Sequence, residues 1–444
     1  MKRREFIRTA GLAAATGIAA PYILPSGRLF AATGTRKANH VVFCLFAGGV
    51  RNLESVQKAE GNLMTNMLIG NEAISGDIAP NMNMLPPSPL SMPLQNYGTL
   101  FKQFKYTNGP TGHYNGHTTA VTGKYTTTDL NIKEHPEFPT IFEYYRKHNS
   151  PSQSALNSWW VSNALGPYPA LNFSKYSGYG SAFGANFIAP TFLYTTDGNS
   201  VLGNPKIFTA SQLDASASMR NFLDKNFNKS YVDGDAGVTN IPSDSESLQA
   251  YIKDAFQKTL SGQYNNPWGA GNSMNGDMYN VFFAEEIIKL FKPELLVVNM
   301  SGVDVCHSDF TQYCNNLRKA DYAAAHLWNT IQNTPGMAND TVMIIAPEHG
   351  RNLNANTIVD SNGRYALDHT APAAGTGGDQ MARDIFCLVV GPPSVVKQNQ
   401  VISTAAGESI EIIPSMANIL GFDSDIPGGM LKPFAGSGMQ QAFF

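Results

Sequence analysis

Charge is scarce in this chain. Of its 444 residues, 15% are Asp, Glu, Lys or Arg, against roughly 25% in an average soluble domain. The signs nearly cancel as well, 31 basic against 34 acidic residues, for a formal charge of −3. With no basic excess to release counterions, a nucleic-acid partner is excluded as an expectation. Cysteine is also sparse: Cys44, Cys306, Cys314 and Cys387 are scattered, and none forms a Cys-x-x-Cys pair. That excludes a disulfide scaffold and a four-thiolate zinc site and leaves room for a lone bridge at most. Strongly apolar runs of membrane-spanning length are missing, because the stretch from Thr9 to Leu24 is short and interrupted by glycine, whereas a span needs about 20 apolar residues. No solenoid repeat or low-complexity tract appears. What is present is core material, 43% hydrophobic residues, enough for one large α/β unit.

Residues 1–32 read as a signal peptide: a basic start, an Ala- and Gly-rich apolar stretch, then small residues near Ala31 and Ala32. Arg3, Arg4, Glu5, Phe6, Ile7 and Arg8 resemble the twin-arginine export motif, with Lys2 where Ser or Thr is commoner. The resemblance implies the twin-arginine export machinery as a partner, a periplasmic or extracellular destination and no stable membrane span after cleavage. An uncleaved amino-terminal anchor is the alternative. Cleavage after Ala32 leaves 26 basic and 33 acidic residues, a formal charge of −7.

Over 33–444, short apolar runs alternate with helical patterns, which predicts an α/β fold with a largely parallel sheet and helices on both faces. Val41 to Ala47 is continuously apolar, as a strand buried on both sides should be, and Gly48 and Gly49 end it. Helical spacing over 277–291 stops at Pro293, and Leu295 to Met300 resumes as a strand. A helix over Phe310 to Gln332, a strand over Thr341 to Ala346 and a last clear strand over Asp384 to Val390 follow. Residues 151–275 differ in texture, rich in Ser, Asn, Gly and Tyr, and read as an insertion or cap. Its Trp159, Trp160, Tyr168, Phe173, Tyr176 and Tyr179 either stack on a sugar or aryl group or anchor a long loop.

In open α/β sheets, sites form beyond the carboxyl ends of the strands. Asp304 and His307 follow one predicted strand; Glu348, His349 and Arg351 follow another; Asp368 and His369 precede the last; Arg51 and Glu54 follow the first. His113 and His117 stand four apart, one above the other if they lie on a helix. Five of the nine histidines thus fall in segments expected to converge. Mixed imidazole and carboxylate donors suit Zn, Mn or Fe better than Ca or Mg, so one or two transition-metal ions are expected. Arg51 and Arg351 have two readings, an anion clamp or a structural ion pair.

The order of these clusters resembles the alkaline phosphatase superfamily, which includes phosphatases, phosphodiesterases and sulfatases. The resemblance implies one metal at Asp304, His307 and His369 and another at Glu348 and His349, with Glu in place of the usual Asp. His117 to Tyr125, HTTAVTGKY, is similar to the superfamily helix ending in Thr-Gly-x-Tyr. Two positions depart from the pattern: Gly48 and Gly49 stand where a metal-binding Asp is usual, and His113 where the nucleophile is usual. Both departures resemble a poorly characterised, twin-arginine-exported branch, in which Glu54 would be the acidic residue after Gly-Gly. The expected activity is metal-dependent hydrolysis of a small anionic ester or glycan-linked substrate, of phosphate or sulfate, by an activated water. His113, His117 and Arg351 are the catalytic candidates; Asp304, His307, Glu348, His349, His369 and Glu54 are the metal candidates. His113 has two possible jobs, a further ligand or a general base. The alternative to an enzyme is a catalytically inactive relative that binds a glycan, a lipid or a surface partner.

Overall fold

The computed structural model describes residues 33–126, 135–149, 154–163, 171–194, 238, 240–369 and 379–444. The segment 1–32, read as a signal peptide, therefore lies outside the described residues. Eight strands form one sheet: β1 (His40–Phe46), β2 (Gly98–Lys105), β3 (Ser158–Val161), β4 (Asn186–Ile188), β5 (Leu295–Met300), β6 (Thr341–Pro347), β7 (Asp384–Val390) and β8 (Gln400–Glu408), in the spatial order β4-β3-β5-β1-β6-β7-β2-β8. β1 runs parallel to both β5 and β6, with Val42 opposite Leu296 and Met343. Because side chains alternate along a strand, Val42, Cys44 and Phe46 enter one hydrophobic layer while Val41, Phe43 and Leu45 enter the other. Both layers are buried, which is why this strand shows no polar alternation.

Helices cover both faces, as expected of an α/β fold. Gly276–Phe291 and Phe310–Asn333 pack on the first layer; His113–Thr122 and Ile412–Ile419 pack on the second. Each of the first pair starts at a side-chain cap: Asn275 accepts from the Met278 amide and Asp309 from the Gln312 amide. Among the described residues no helix is long and apolar enough to cross a membrane.

One strand departs from the parallel pattern. β7 is antiparallel to both β6 and β2. The chain leaves β6 at its carboxyl end and re-enters the sheet from that same end, so the segment before β7 lies beside the loops that follow the parallel strands.

The insertion reading of 151–275 is corrected in part. Within it, β3 pairs with β5 and β4 with β3, so both strands belong to the central sheet. Trp159 and Trp160 are strand residues at 1% and 0% exposure, not an aromatic surface for a ligand. Trp159 stacks on Phe291 at 5.3 Å and donates its indole N–H to the Leu156 carbonyl at 2.6 Å. Phe173 is buried as well, while Tyr168 lies outside the described residues. Trp159→Ala should cost about 3–5 kcal/mol of unfolding free energy, the range for deleting a large buried aromatic. A urea midpoint indistinguishable from wild type would contradict the placement of Trp159 in the sheet.

Candidate metal centre

Four of the segments at the carboxyl end of the sheet follow parallel strands, and the fifth leads into β7. After β1 the chain turns through Gly48 and Gly49 with φ of +96° and +78°, a region that side-chain-bearing residues rarely enter. Space requires glycine here too: a Cβ on Gly48 would stand 2.6 Å from the Asp304 amide nitrogen, and one on Gly49 2.6 Å from the His349 Nδ1. The missing side chains let the exits of β1, β5 and β6 touch. The Gly48 N–H donates to Glu348 Oε1 at 2.5 Å. After β2 the chain enters the His113–Thr122 helix, whose Gly116 lies against Glu348; a Cβ there would meet the Glu348 Cβ at 3.0 Å.

Two groups of donor atoms result. His113, Asp304, His307 and His369 form one; His113, Glu348 and His349 form the other. In the first, His113 Nε2 lies 2.9 Å from Asp304 Oδ1 and 3.0 Å from His369 Nε2, and His307 Nε2 lies 3.3 Å from Asp304 Oδ1. In the second, His113 Nδ1 lies 2.6 Å from Glu348 Oε1, and His349 Nε2 is 3.4 Å from the same oxygen. The first group is part-exposed, with side-chain exposures of 17% for His113, 22% for Asp304 and 38% for His307. Glu348 and His349 are sealed.

Three of the rings are held in one tautomer. His307 Nδ1 faces Asp368 Oδ1 at 2.8 Å, His349 Nδ1 faces the Gly350 carbonyl at 2.8 Å, and His369 Nδ1 faces the Thr111 carbonyl at 2.6 Å. Each partner is an acceptor, so each Nδ1 carries the proton and each Nε2 turns a lone pair inward, the arrangement of metal-ligating histidines. The buried Nε2 of His349 has no hydrogen-bond partner, a costly state unless something else engages it. These donors fit a divalent transition metal.

The electrostatics separate the rings. Burial works against a charged His113, but the Glu348 and Asp304 carboxylates hold its pKa up to about 9. Burial pushes His349 down to about 4, only partly opposed by Glu348. Burial, with His349 and His113 nearby, also drives His369 far below its ordinary value. Despite burial, His113, with His307 and Arg351 nearby, holds Asp304 well below the usual carboxylate range. His117, His113 and His349 do the same for the fully buried Glu348.

Asp304, His307, Glu348, His349 and His369 are thus brought together with His113, while three other candidates are placed differently. Glu54 is not in the centre: Arg51 takes both its oxygens, Nε to Oε2 at 2.9 Å and Nη2 to Oε1 at 2.6 Å, in a buried bidentate pair. That pair fixes Arg51 in a structural role, which its Nη1 completes by donating to the Asn352 and Leu353 carbonyls. Arg351 is no anion clamp either. It is 0% exposed and donates to the carbonyls of Gly48, Gly49, Val303 and Leu367 and to Asp304 Oδ1. His117 is sealed beneath His113, with Nδ1 2.5 Å from Glu348 Oε2 and Nε2 3.2 Å from Asn299 Oδ1, so it positions Glu348 and meets no substrate. Cys306 is buried, and burial pushes its thiol up to about 12; it belongs to neither group. Of the supporting residues, Asp368 was named beside His369 but given no role, and Asn299 and Asn356 were not singled out. Asn356 donates to Asp368 Oδ1 at 3.2 Å and to the His307 carbonyl at 3.1 Å. For Asp368 the Asp-His neighbourhood was a visible signal; Asn299 and Asn356 carried none.

No family model and no curated protein matches the chain. Solved structures similar to it include a protein of the alkaline phosphatase superfamily from Vibrio parahaemolyticus, at 12% identity over 89% of this chain and 72% of that one, with a TM-score of 0.42. The alkaline phosphatase PafA is similar at 10% identity over 91% and 100%, with a TM-score of 0.45. A putative sulfatase from Bacteroides fragilis is similar at 9% identity over 90% and 77%, with a TM-score of 0.42. The chemistry rests on the centre's own geometry.

The two carboxylates beside His113 make its titration a direct probe. In metal-free Glu348→Gln, which keeps the shape and removes the charge, the His113 ring should lose its proton at least about one pH unit lower than in wild type. Proton NMR of the imidazole resonances measures this, and an unchanged titration would show that Glu348 does not hold the charge on His113.

Proposed function

We propose that the chain is a metal-dependent hydrolase of phosphate or sulfate esters that works through an activated water. The observation that supports this most is the set of three Nε2 lone pairs, each fixed by an acceptor behind its ring, converging with two carboxylates at the carboxyl end of the sheet. Asp304, His307 and His369 would hold one Zn, Mn or Fe ion, and Glu348 with His349 would hold a second. A divalent cation supplies Lewis acidity, bringing the pKa of water toward about 7 and offsetting charge on the ester oxygen.

The chain's own residues supply the rest. Asp368 and the Thr111 carbonyl hold His307 and His369 in place, and Arg351 ties Asp304 to the turn after β1. The part-exposed side formed by Asp304 and His307 is where a small anionic ester would arrive. None of Thr111, Thr118 and Thr119 takes the nucleophile's place. The Thr111 hydroxyl donates to the His369 carbonyl, Thr118 is buried, and Thr119 lies 3.4 Å from the Tyr106 hydroxyl. Export by the twin-arginine route belongs to the same reading and rests on the Arg3-Arg4 segment. Export of a folded protein would suit a centre assembled from five distant segments.

One observation favours the second reading, a catalytically inactive relative that binds a glycan, a lipid or a surface partner: His113 already pairs with both Asp304 and Glu348, closing the centre on itself. Turnover of phosphate and sulfate ester panels by protein loaded with Zn, Mn or Fe decides between them. For a hydrolase, His113→Ala should lower kcat at least about 100-fold, the scale of a lost acid-base or positioning group, while Thr118→Val with Thr119→Val should keep most of it. A phosphoryl or sulfuryl adduct trapped on a threonine would overturn the water mechanism, and wild-type protein inert to the whole panel would favour the binding reading.

A further inference from the structure

The ring of His113 differs from the other three in the centre. His307, His349 and His369 each spend Nδ1 on an acceptor behind the ring, the Asp368 carboxylate, the Gly350 carbonyl and the Thr111 carbonyl. His113 spends neither nitrogen on a supporting acceptor outside the two donor groups; both face carboxylates that belong to those groups. Its Nε2 faces Asp304 and His369, and its Nδ1 faces Glu348. The ring also lies near the other three, 4.3 Å from His369, 5.3 Å from His349 and 6.2 Å from His307 between centroids. One five-membered ring therefore separates the part-exposed donor group from the sealed one and presents a nitrogen to each.

We infer that His113 is a bridging ligand, joining two metal positions through its two ring nitrogens. The inference rests on the reading of the centre as a metal site and goes beyond it: the residue at the usual nucleophile position becomes the link between the ions. A nitrogen binds a cation only through its lone pair. As both positions fill, the two ring protons therefore leave to solvent, and the resulting imidazolate offers one lone pair to each cation. The unpartnered buried Nε2 of His349, beside the Glu348 carboxylate, marks the inner position. The inner position has no exposed surface of its own, Glu348 and His349 being fully enclosed. A bridge also explains why glycine suffices where an aspartate ligand is usual: His113 Nδ1 supplies a donor to the inner position from the other side.

Copper(II) is the probe, because two such ions linked through one imidazolate couple magnetically and two separate ions do not. Full-length protein stripped by chelator and titrated with Cu²⁺ should bind two equivalents, and the integrated electron paramagnetic resonance signal should fall as the second binds instead of doubling. His113→Ala should show only uncoupled signals at any loading. Asp304→Ala, which keeps the ring and removes an outer ligand, should leave a single uncoupled ion, and it serves if His113→Ala loses its native near-ultraviolet circular dichroism. A wild-type protein that binds two equivalents with additive signals, or binds one only, would overturn the bridge while leaving the metal site standing. Failure of Cu²⁺, Zn²⁺ and Mn²⁺ alike to bind stoichiometrically would overturn the metal reading and the bridge with it.

Discussion

Glu348 is a carboxylate with essentially no exposed surface. Removing such a group from water costs several kcal/mol unless donors and positive charge replace the lost hydration. Here the replacements come from two other segments, the Gly48 amide in the turn after β1 and the His113 and His117 imidazoles on one helix. Each reaches Glu348 only because something small stands aside. Gly48 and Gly49 adopt left-handed conformations that bring the turn after β1 against Asp304 and His349, and Gly116 lets the helix lie on the Glu348 side chain. Arg351 then fastens that turn to Asp304, so both donor groups share one scaffold.

The sheet decides which segments can meet. β1, β2, β5 and β6 all end at the same edge, and the reversed β7 begins there. Were β7 parallel, its preceding segment would lie at the opposite edge and His369 could not face His113. The reversed strand thus contributes a candidate donor, His369, from a segment that precedes a strand, while the other candidate donors come from segments that follow one. The centre also has two sides. Asp304 and His307 are part-exposed, while Glu348 and His349 are enclosed, so one donor group meets solvent and the other is shaped entirely by protein.

Much of this arrangement was legible in the chain. β1, β5, β6 and β7 fall within a residue of their apolar runs, because strands buried on both faces leave continuous hydrophobic stretches. The two helices between them carry readable caps and stops. Most of the candidate donors were legible because they follow such a strand or precede the last; His113, which follows the unassigned β2, stood out only by its spacing from His117. β2 and β8 were not assigned, since GTLFKQFK and QVISTAAGE mix polar and apolar residues at the side of the sheet where cover is partial. β3 and β4 were hidden by brevity, four and three residues inside a Ser- and Asn-rich segment. Glu54 and Arg351 depart from their expected roles for a shared cause, and Arg51 takes the structural one of its two readings. A charged residue near a site in sequence can be consumed by an ion pair or by backbone carbonyls, and pairing of that kind depends on contacts that spacing does not encode.

The account stands on the claim that these donors hold a metal. Elemental analysis of folded protein, purified without added metal and then equilibrated with Zn²⁺ and desalted, tests it most directly. Wild type should retain at least one ion per chain, Asp304→Ala and His369→Ala should each retain less, and wild type should melt at higher temperature with metal than without, since binding to the folded state alone adds stability. Wild type that retains no metal, or variants that retain as much as wild type, would contradict the account.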